Sequence, residues 1–176
     1  RTICSGGAHC TIYVWDVATG VLRNSRKAHG GSIETVAWSP TGEIMTAAVD
    51  RSIRYWNPVK GELLRSVTLP TSVRPRLFSA DTSLLLASSD NKIHLFDTQT
   101  GAESILDVKI PWHTQPGLSP DGKLLAYPRR EQELVEDSVR GYRDHYKICL
   151  RAANPNAEER ILAAEFGATI TPDEPA

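Results

Sequence analysis

Two sets of side chains alternate strictly, with a period of two, in three short stretches of the chain. Ile12 and Val14 alternate with aromatic residues, and the same period of two recurs at 53–56 and 93–96. Period-two alternation rich in β-branched and aromatic residues is typical of β-strands. Outside residues 129–145, no window of helical length shows a convincing period of 3.6. The pattern therefore predicts an all-β fold built from short strands.

These stretches belong to a repeat of about 40 residues. Ser-Pro-type turns begin at Ser39, Ser79 and Ser119, and the pairs Trp15-Asp16, Trp56-Asn57 and Phe96-Asp97 follow at steps of 41 and 40. A fixed period indicates one supersecondary unit used several times, because a single unit cannot bury its own apolar face. Each unit holds four apolar stretches separated by turns about every ten residues, which predicts a four-stranded antiparallel meander in a radial array.

The second unit carries a specific motif, which consists of His29, Trp38-Ser39-Pro40-Thr41-Gly42, Asp50, Trp56-Asn57 and Gly61. This motif resembles the WD-repeat family of β-propellers, and the resemblance covers residues 2–168. It implies an all-β propeller segment of four-stranded antiparallel blades over residues 1–168. The blades are expected at 1–27, 28–68, 69–108 and 109–165, with an insertion between strands two and three at 128–144. Residues 169–176 are expected to be a loose tail or the start of a further strand.

The resemblance also implies a structural site. In the WD-repeat family a His, a Ser or Thr, an Asp and the Trp form a buried hydrogen-bonded tetrad, which corresponds here to His29, Thr46, Asp50 and Trp56. The motif departs from the family pattern at two positions, Ala28 in place of Gly and Asn57 in place of Asp. By alignment, the first unit has Ser5, His9 and Trp15 at the tetrad positions. The third unit has Leu69, Leu86, Asp90 and Phe96 there, and the fourth has Lys109, Ala126 and Arg151.

The length of the chain limits the number of propeller blades. Four units make at most four blades, whereas propellers have about four to eight, so we expect a piece of a larger ring in a longer chain. A small ring, in which Thr169–Thr171 supplies the missing first strand of the opening blade, is the alternative.

Composition excludes several classes of function. A net charge of −1 provides no basic footprint for nucleic acid, and no apolar run approaches the ~18 residues of a membrane span. We therefore expect neither a nucleic-acid partner nor a membrane. The three cysteines are odd in number and include no Cys-x-x-Cys, which favours reduced thiols and a cytoplasmic location, with a nuclear one left open.

Motifs for catalysis are missing from the sequence. It contains no Gly-x-Ser-x-Gly elbow, no phosphate-binding Gly loop and no His-Glu-x-x-His. Cys4, His9 and Cys10 are zinc-ligand residue types, but they lack a second cluster at fitting spacing. We therefore expect no enzyme, no cofactor and no metal.

A partner surface follows from the resemblance. In propellers of this family the loops from strand four to strand one, and from strand two to strand three, share one face that docks partners. The insertion 128–144 is expected to project from that face. Its role is either a partner-specific protrusion or a solvated loop without a function, and its conformation is either a helical turn or a long hairpin. Arg and Trp dominate interface hot spots, which favours Arg51, Arg74, Trp112, Arg129 and Arg130 as contact residues.

Two functions remain at this point. The first is a non-catalytic scaffold that binds protein or peptide partners on one face of the propeller. The second follows from Leu118–Tyr127, which is also similar to propeller repeats of the TolB and prolyl oligopeptidase families. That resemblance implies a substrate-gating propeller of a larger hydrolase.

Overall fold

The computed structural model describes residues 1–89, 92–108, 114–134, 142–153 and 158–166; for residues 130–134, 142–146, 159 and 162–166 only the backbone is considered. Every regular element in these ranges is a β-strand, so the expected all-β fold is confirmed. The strands are β1 Thr2–Gly6, β2 Thr11–Asp16, β3 Leu22–Lys27, β4 Ile33–Trp38, β5 Ile44–Ala48, β6 Ser52–Trp56, β7 Leu63–Thr68, β8 Arg74–Phe78, β9 Leu84–Ser89, β10 Lys92–Asp97, β11 Glu103–Leu106, β12 Gly117–Leu118, β13 Leu124–Leu134, β14 Tyr142–Ala152 and β15 Glu159–Phe166. Within these ranges no helix is long and apolar enough to cross a membrane.

The strands form four sheets in chain order. The first sheet has three strands, β1-β2-β3, and the next three have four each, β4 to β7, β8 to β11 and β12 to β15. Neighbouring strands are antiparallel and consecutive in sequence, as in a meander. This is the blade architecture of a propeller, and the open row of sheets corresponds to part of a ring.

Three apolar clusters join the sheets in sequence. Ile12 and Val14 of the first sheet pack with Trp56 of the second. Ile53 and Tyr55, on the other face of the second sheet, pack with Phe96 of the third, and a further cluster joins the third sheet to the fourth. Because both faces of the inner sheets are covered, all five residues of β5 are buried. Burial of this kind supplies most of the stability of a stacked repeat.

The last sheet contains the insertion. Its middle strands β13 and β14 are 11 residues long and pair from Leu124↔Ala152 to Leu134↔Tyr142. Of the two expected forms, the described part of 128–144 therefore adopts the long hairpin and not the helical turn. Residues 135–141 lie outside the described residues.

Glycine turns contribute to contacts between sheets. Gly20 and Gly61 close equivalent turns with φ of 69° and 67°. A Cβ at Gly20 would meet nothing within 4 Å, whereas one at Gly61 would lie 2.1 Å from Nδ2 of Asn24 in the preceding sheet. Gly61 therefore allows the two sheets to approach closely.

This difference predicts unequal costs for two matched substitutions. Both Gly20→Ala and Gly61→Ala should lose about 1–2 kcal/mol of stability, because an L-residue is strained at positive φ. Gly61→Ala should lose about 1 kcal/mol more from the overlap with Asn24. Urea unfolding of both variants measures the difference, and equal losses would show that the contact between these sheets is loose.

Candidate functional site

The predicted tetrad residues are brought together between the first two sheets. His29 lies in the loop between β3 and β4, Thr46 on β5, Asp50 in the turn before β6, and Trp56 at the end of β6. His29 and Trp56 are 3% and 2% exposed, and Thr46 is fully buried. The rings of His29 and Trp56 meet edge to face, with centroids 6.4 Å apart.

A chain of hydrogen bonds links the four side chains. Nε1 of Trp56 donates to Oγ1 of Thr46 at 2.9 Å, and that oxygen lies 2.6 Å from Nε2 of His29. On the other side of the ring, Nδ1 of His29 is 3.1 Å from both carboxylate oxygens of Asp50. With neutral His29, Nδ1–H donates to Asp50 and Nε2 accepts from the hydroxyl of Thr46. Every polar atom of this buried chain then has a partner, as burial requires.

Asp50 ties two loops together. Its Oδ2 accepts from the backbone N–H of Gly30 at 2.8 Å, and its Oδ1 accepts from the hydroxyl of Ser52 at 2.7 Å and from the N–H of Ser52 at 3.2 Å. A backbone bond of 3.0 Å from Val49 N to Ser32 O joins the same two segments. The loop 28–32 and the turn 49–51 are thus held as one unit.

The protonation states follow from this arrangement. Burial lowers the pKa of His29, against the opposing effect of the Asp50 charge. Burial raises the pKa of Asp50, but the hydrogen bonds from Ser52, Gly30 and His29 outweigh it and the net pKa is lowered. The folded protein therefore favours a neutral imidazole beside an ionised carboxylate.

A pH dependence of stability follows. Folding lowers the pKa of His29 below its ordinary value of 6.5, so between these two pKa values the unfolded chain binds more protons than the folded one. Stability is therefore full above pH 6.5 and is lost as the pH falls through the folded pKa. Urea unfolding of the wild type and of His29→Gln between pH 7.5 and 5.5 tests this, because the variant should show a flatter profile. Parallel profiles would contradict the buried neutral state.

Strand pairing corrects the assignment of the tetrad positions in the later sheets. Thr46 pairs with Arg54, and the corresponding pairs are Ala87 with His94 and Tyr127 with Cys149. The residues in the place of Thr46 are therefore Ala87 and Tyr127, and the predicted Leu86 and Ala126 were each wrong by one position.

The residue in the place of His29 is also shifted in the third sheet. The N–H of Leu69 bonds to Arg51 O as the N–H of Ala28 bonds to Cys10 O. Leu69 thus corresponds to Ala28, and Pro70 stands in the place of His29. In the fourth sheet Arg151 pairs with Leu125, as Trp56 pairs with Ile44, so Arg151 does occupy the Trp place. Asp90 and Lys109 lie outside the described residues.

The third sheet contains a polar network that the sequence prediction missed. His94 is 2% exposed, its Nδ1 lies 2.6 Å from Oε1 of Glu103, and its Nε2 lies 2.8 Å from Oγ of Ser89. The other oxygen of Glu103 accepts from the hydroxyl of Thr71 at 2.6 Å, in the loop before β8. Both ring nitrogens of the buried His94 have hydrogen-bond partners. We therefore interpret this network, like the one around His29, as a structural network that fixes a loop. The available signal was a His at an inward position of β10 with a Glu on the neighbouring strand β11, where Glu103 pairs with Phe96, two residues after His94.

The five predicted contact residues are distributed as follows. Arg51 is exposed in the turn before β6 with a φ of 62°. The side chain of Arg74 is 61% exposed at the start of β8 and forms an ion pair with Glu34 at 2.9 Å. Arg129 is half-buried on β13. Arg130 is placed by its backbone on the same strand, and Trp112 lies outside the described residues.

The zinc-type residues Cys4, His9 and Cys10 have ordinary structural settings. Burial raises the pKa of the Cys4 thiol to about 11, and the described residues contain no group of three or more His, Cys, Asp or Glu side chains that could hold a metal ion. Cys10 takes a φ of 60° in its turn, and its Sγ lies 3.5 Å from Ala8 O. Cys4, Cys10 and Cys149 form no disulfide bond.

Comparison with known proteins gives one consistent family. Residues 20–57 and 65–97 match the family model described as WD domain, G-beta repeat. The chain is 26% identical over 188 residues to the nuclear distribution protein nudF of Aspergillus niger, covering 97% of this chain and 42% of the relative. It is 33% identical over 98 residues to eukaryotic translation initiation factor 3 subunit I of Aspergillus terreus, covering 55% and 28%. It is 22% identical over 143 residues to the WD repeat-containing protein slp1 of Schizosaccharomyces pombe, covering 75% and 29%.

The meander sheets and the matched repeats define the class of this molecule as a β-propeller segment. Within that class, residues 20–57 and 65–97 are WD repeats, and one relative of the chain is by its name a WD repeat-containing protein. It spans less than half the length of the curated relatives it matches.

Proposed function

We propose that this chain is part of a non-catalytic scaffold that binds protein or peptide partners on the face formed by its β3–β4, β5–β6 and β7–β8 connections. We call this surface the loop face; its described residues are 28–32, 49–51 and 69–73 with the strand residues that border them. The observation that supports the proposal is the set of hydrogen bonds around Asp50, which joins loop 28–32 to turn 49–51. Loops that are already ordered lose little entropy when a partner binds, so more of the contact energy appears as affinity.

The relatives support an assembly role. One of them is, by its name, a subunit of a translation initiation factor. Together with the WD-repeat match, this favours the scaffold over the hydrolase-gating propeller that was the alternative. The proposal includes an intracellular location, in the cytoplasm, and no cofactor, nucleic acid or membrane as a partner.

The contact residues remain part of the proposal. Arg51 and Arg74 border adjoining loops, because the backbone carbonyl of Arg51 accepts from the N–H of Leu69 at 2.8 Å, in the loop that leads to Arg74. Trp112, Arg129 and Arg130 would extend the surface towards the fourth blade and its inserted hairpin. The blade boundaries and the tail at 169–176 are likewise proposed.

Affinity capture from a eukaryotic extract tests the function. The tagged chain and the variants Arg51→Ala and Arg74→Ala are compared by quantitative mass spectrometry, with Lys60→Ala and Lys123→Ala, at the opposite ends of the sheets, as matched controls. We expect the loop-face variants to lose at least one specific partner that the controls retain. Equal recovery from all variants would overturn the proposal.

A further inference from the structure

The two ends of the sheets differ in charge. Within the described residues, the loop face and its borders carry the basic side chains Lys27, Arg51, Arg54, Arg74, Arg76 and Lys92, against the acidic Glu34, Asp50 and Asp107. The opposite end, formed by the remaining turns and their borders, carries Asp16, Glu43, Glu62, Asp81, Asp97, Glu103, Asp121 and Glu158, against Arg1, Arg23, Lys60, Lys123, Arg151 and Arg160. A chain of net charge −1 thus separates its charge along the direction of its strands.

The carboxylates of the loop face are mostly engaged by the protein itself. Asp50 accepts from His29, Gly30 and Ser52. Glu34 is in the ion pair with Arg74, and Glu103, which reaches this end through Thr71, is bonded to His94. Asp107 is exposed. The pairs Arg54–Asp50 and Arg74–Glu34 neutralise two of the six basic groups together with two of the three carboxylates, so this end keeps an excess of positive charge.

Two arginines of β8 lie near Glu34. Arg74 Nε lies 2.9 Å from Glu34, and Arg76 Nε donates to Ser88 Oγ at 2.8 Å. Burial lowers the pKa of Arg76, the charge of Arg74 lowers it further, and Glu34 raises it, so the three groups lie within electrostatic reach of one another. The Arg74 side chain stays 61% exposed beside Glu34, so it is accessible to an anionic group of a partner.

An apolar side chain lies beside these charges. Val49 is 41% exposed in the same turn as Arg51. Its N–H is bonded to Ser32, and Arg51 is bonded to the loop before Arg74. Arg51, Arg74 and Val49 therefore lie on or next to loops that are joined by backbone hydrogen bonds.

We propose that the loop face docks an acidic peptide segment, whose Asp or Glu carboxylates pair with Arg51 and Arg74 and whose apolar side chain rests on Val49. Guanidinium groups bind carboxylates through two parallel N–H···O bonds, which gives direction as well as attraction. The proposal rests on the proposed function and adds the chemistry of the partner. A peptide is favoured over RNA because the described loops of this face contain no Phe, Tyr or Trp on which bases could stack.

Selection from a random 12-residue peptide phage library tests the partner chemistry. The bait is the whole chain, either wild type, with Arg51→Gln and Arg74→Gln together, or with Lys60→Gln and Lys123→Gln together. Both double variants remove two positive charges, one variant at each end of the sheets, so the net charge of the two baits is the same. Thermal melts of the three baits verify that each is folded.

We expect Asp and Glu to be at least twofold enriched in peptides selected by the wild type and by the Lys60/Lys123 control, and to return to the input level with the Arg51/Arg74 variant. A synthetic selected peptide should lose at least tenfold in affinity when its acidic residues become Asn and Gln. Failure to select any peptide, enrichment unchanged by the Arg51/Arg74 variant, or tighter binding of a poly(U) oligonucleotide at equal salt would each overturn the acidic-peptide proposal. Selection of neutral peptides that still require Arg51 and Arg74 would overturn the acidic chemistry alone and leave the proposed function standing.

Discussion

Replacement of His29 by alanine should lower the free energy of unfolding by about 2–4 kcal/mol. The substitution removes the imidazole and leaves its two partners without that hydrogen bond, and each buried polar group that loses a partner costs about 1–3 kcal/mol. The groups affected are the hydroxyl of Thr46, fully buried, and the carboxylate of Asp50. For a chain of this size, the loss corresponds to a fall in Tm of about 5–15 °C, measurable by thermal or urea unfolding followed by circular dichroism.

Two controls separate the hydrogen bonds from a general effect of losing a histidine. His9→Ala removes an exposed turn histidine, so its cost should stay within about 0.5 kcal/mol. Thr46→Ser keeps the hydroxyl between His29 and Trp56, whereas Thr46→Val keeps the shape and removes it, so Val should cost more than Ser. An unchanged melting temperature for His29→Ala would refute the tetrad as a source of stability.

Truncation of Trp56 should have the larger effect of the two principal substitutions. Trp56→Ala should cost about 3–5 kcal/mol, as expected for removing a buried aromatic side chain. Trp56 is 2% exposed and packs with Ile12 and Val14 of the preceding sheet. Its indole N–H also donates to Thr46, so the truncation opens a cavity between two sheets and breaks the tetrad. Equilibrium unfolding in urea measures the loss.

Trp15 supplies the matched control for this truncation. It occupies the same register position on β2, where it pairs with Ile3 as Trp56 pairs with Ile44. Trp15 is half-buried and stacks on Tyr13, with ring centroids 6.3 Å apart. Trp15→Ala should therefore cost less than half as much as Trp56→Ala. Equal losses of unfolding free energy would show that packing between successive sheets is not the reason why Trp56 stabilises the fold.

Much of the fold could be predicted from the sequence because its signals are local. The alternation of β2, β6 and β10 and the turn residues before β5 and β9 depend on neighbouring residues alone. The tetrad of the second repeat could be placed as well, because every member of the motif is present there.

The register of the later sheets could not be predicted, since two changes of loop length cancel. In the second sheet Trp38 pairs with Ile44, but in the third Phe78 pairs with Leu85, so the turn between β8 and β9 is one residue longer. The connection between β9 and β10 is one residue shorter, because Ser89 pairs with Lys92 whereas Ala48 pairs with Ser52. The spacing from Trp56 to Phe96 stays at 40, and the sequence period therefore conceals the slip. Only the hydrogen-bonded pairs reveal it.

The network around His94 was missed for a related reason. Its members Thr71, Ser89, His94 and Glu103 come from four segments of the chain and match no repeat position of the motif. A tertiary arrangement of this kind has no signature in spacing. The form of the insertion also remained open, because its mixed charges suit a solvated strand and a solvated helix equally well.

Hydrogen exchange at the amide of Gly30 tests the central claim most directly, namely that the buried polar chain holds the loop face rigid. Gly30 is exposed at the surface. Its backbone N–H nevertheless donates a hydrogen bond to Oδ2 of Asp50 at 2.8 Å. We expect slow exchange of the Gly30 and Val49 amides in the wild type and much faster exchange in His29→Ala under conditions where both proteins are folded. Fast exchange of both amides in the wild type, or equal rates in the two proteins, would contradict it.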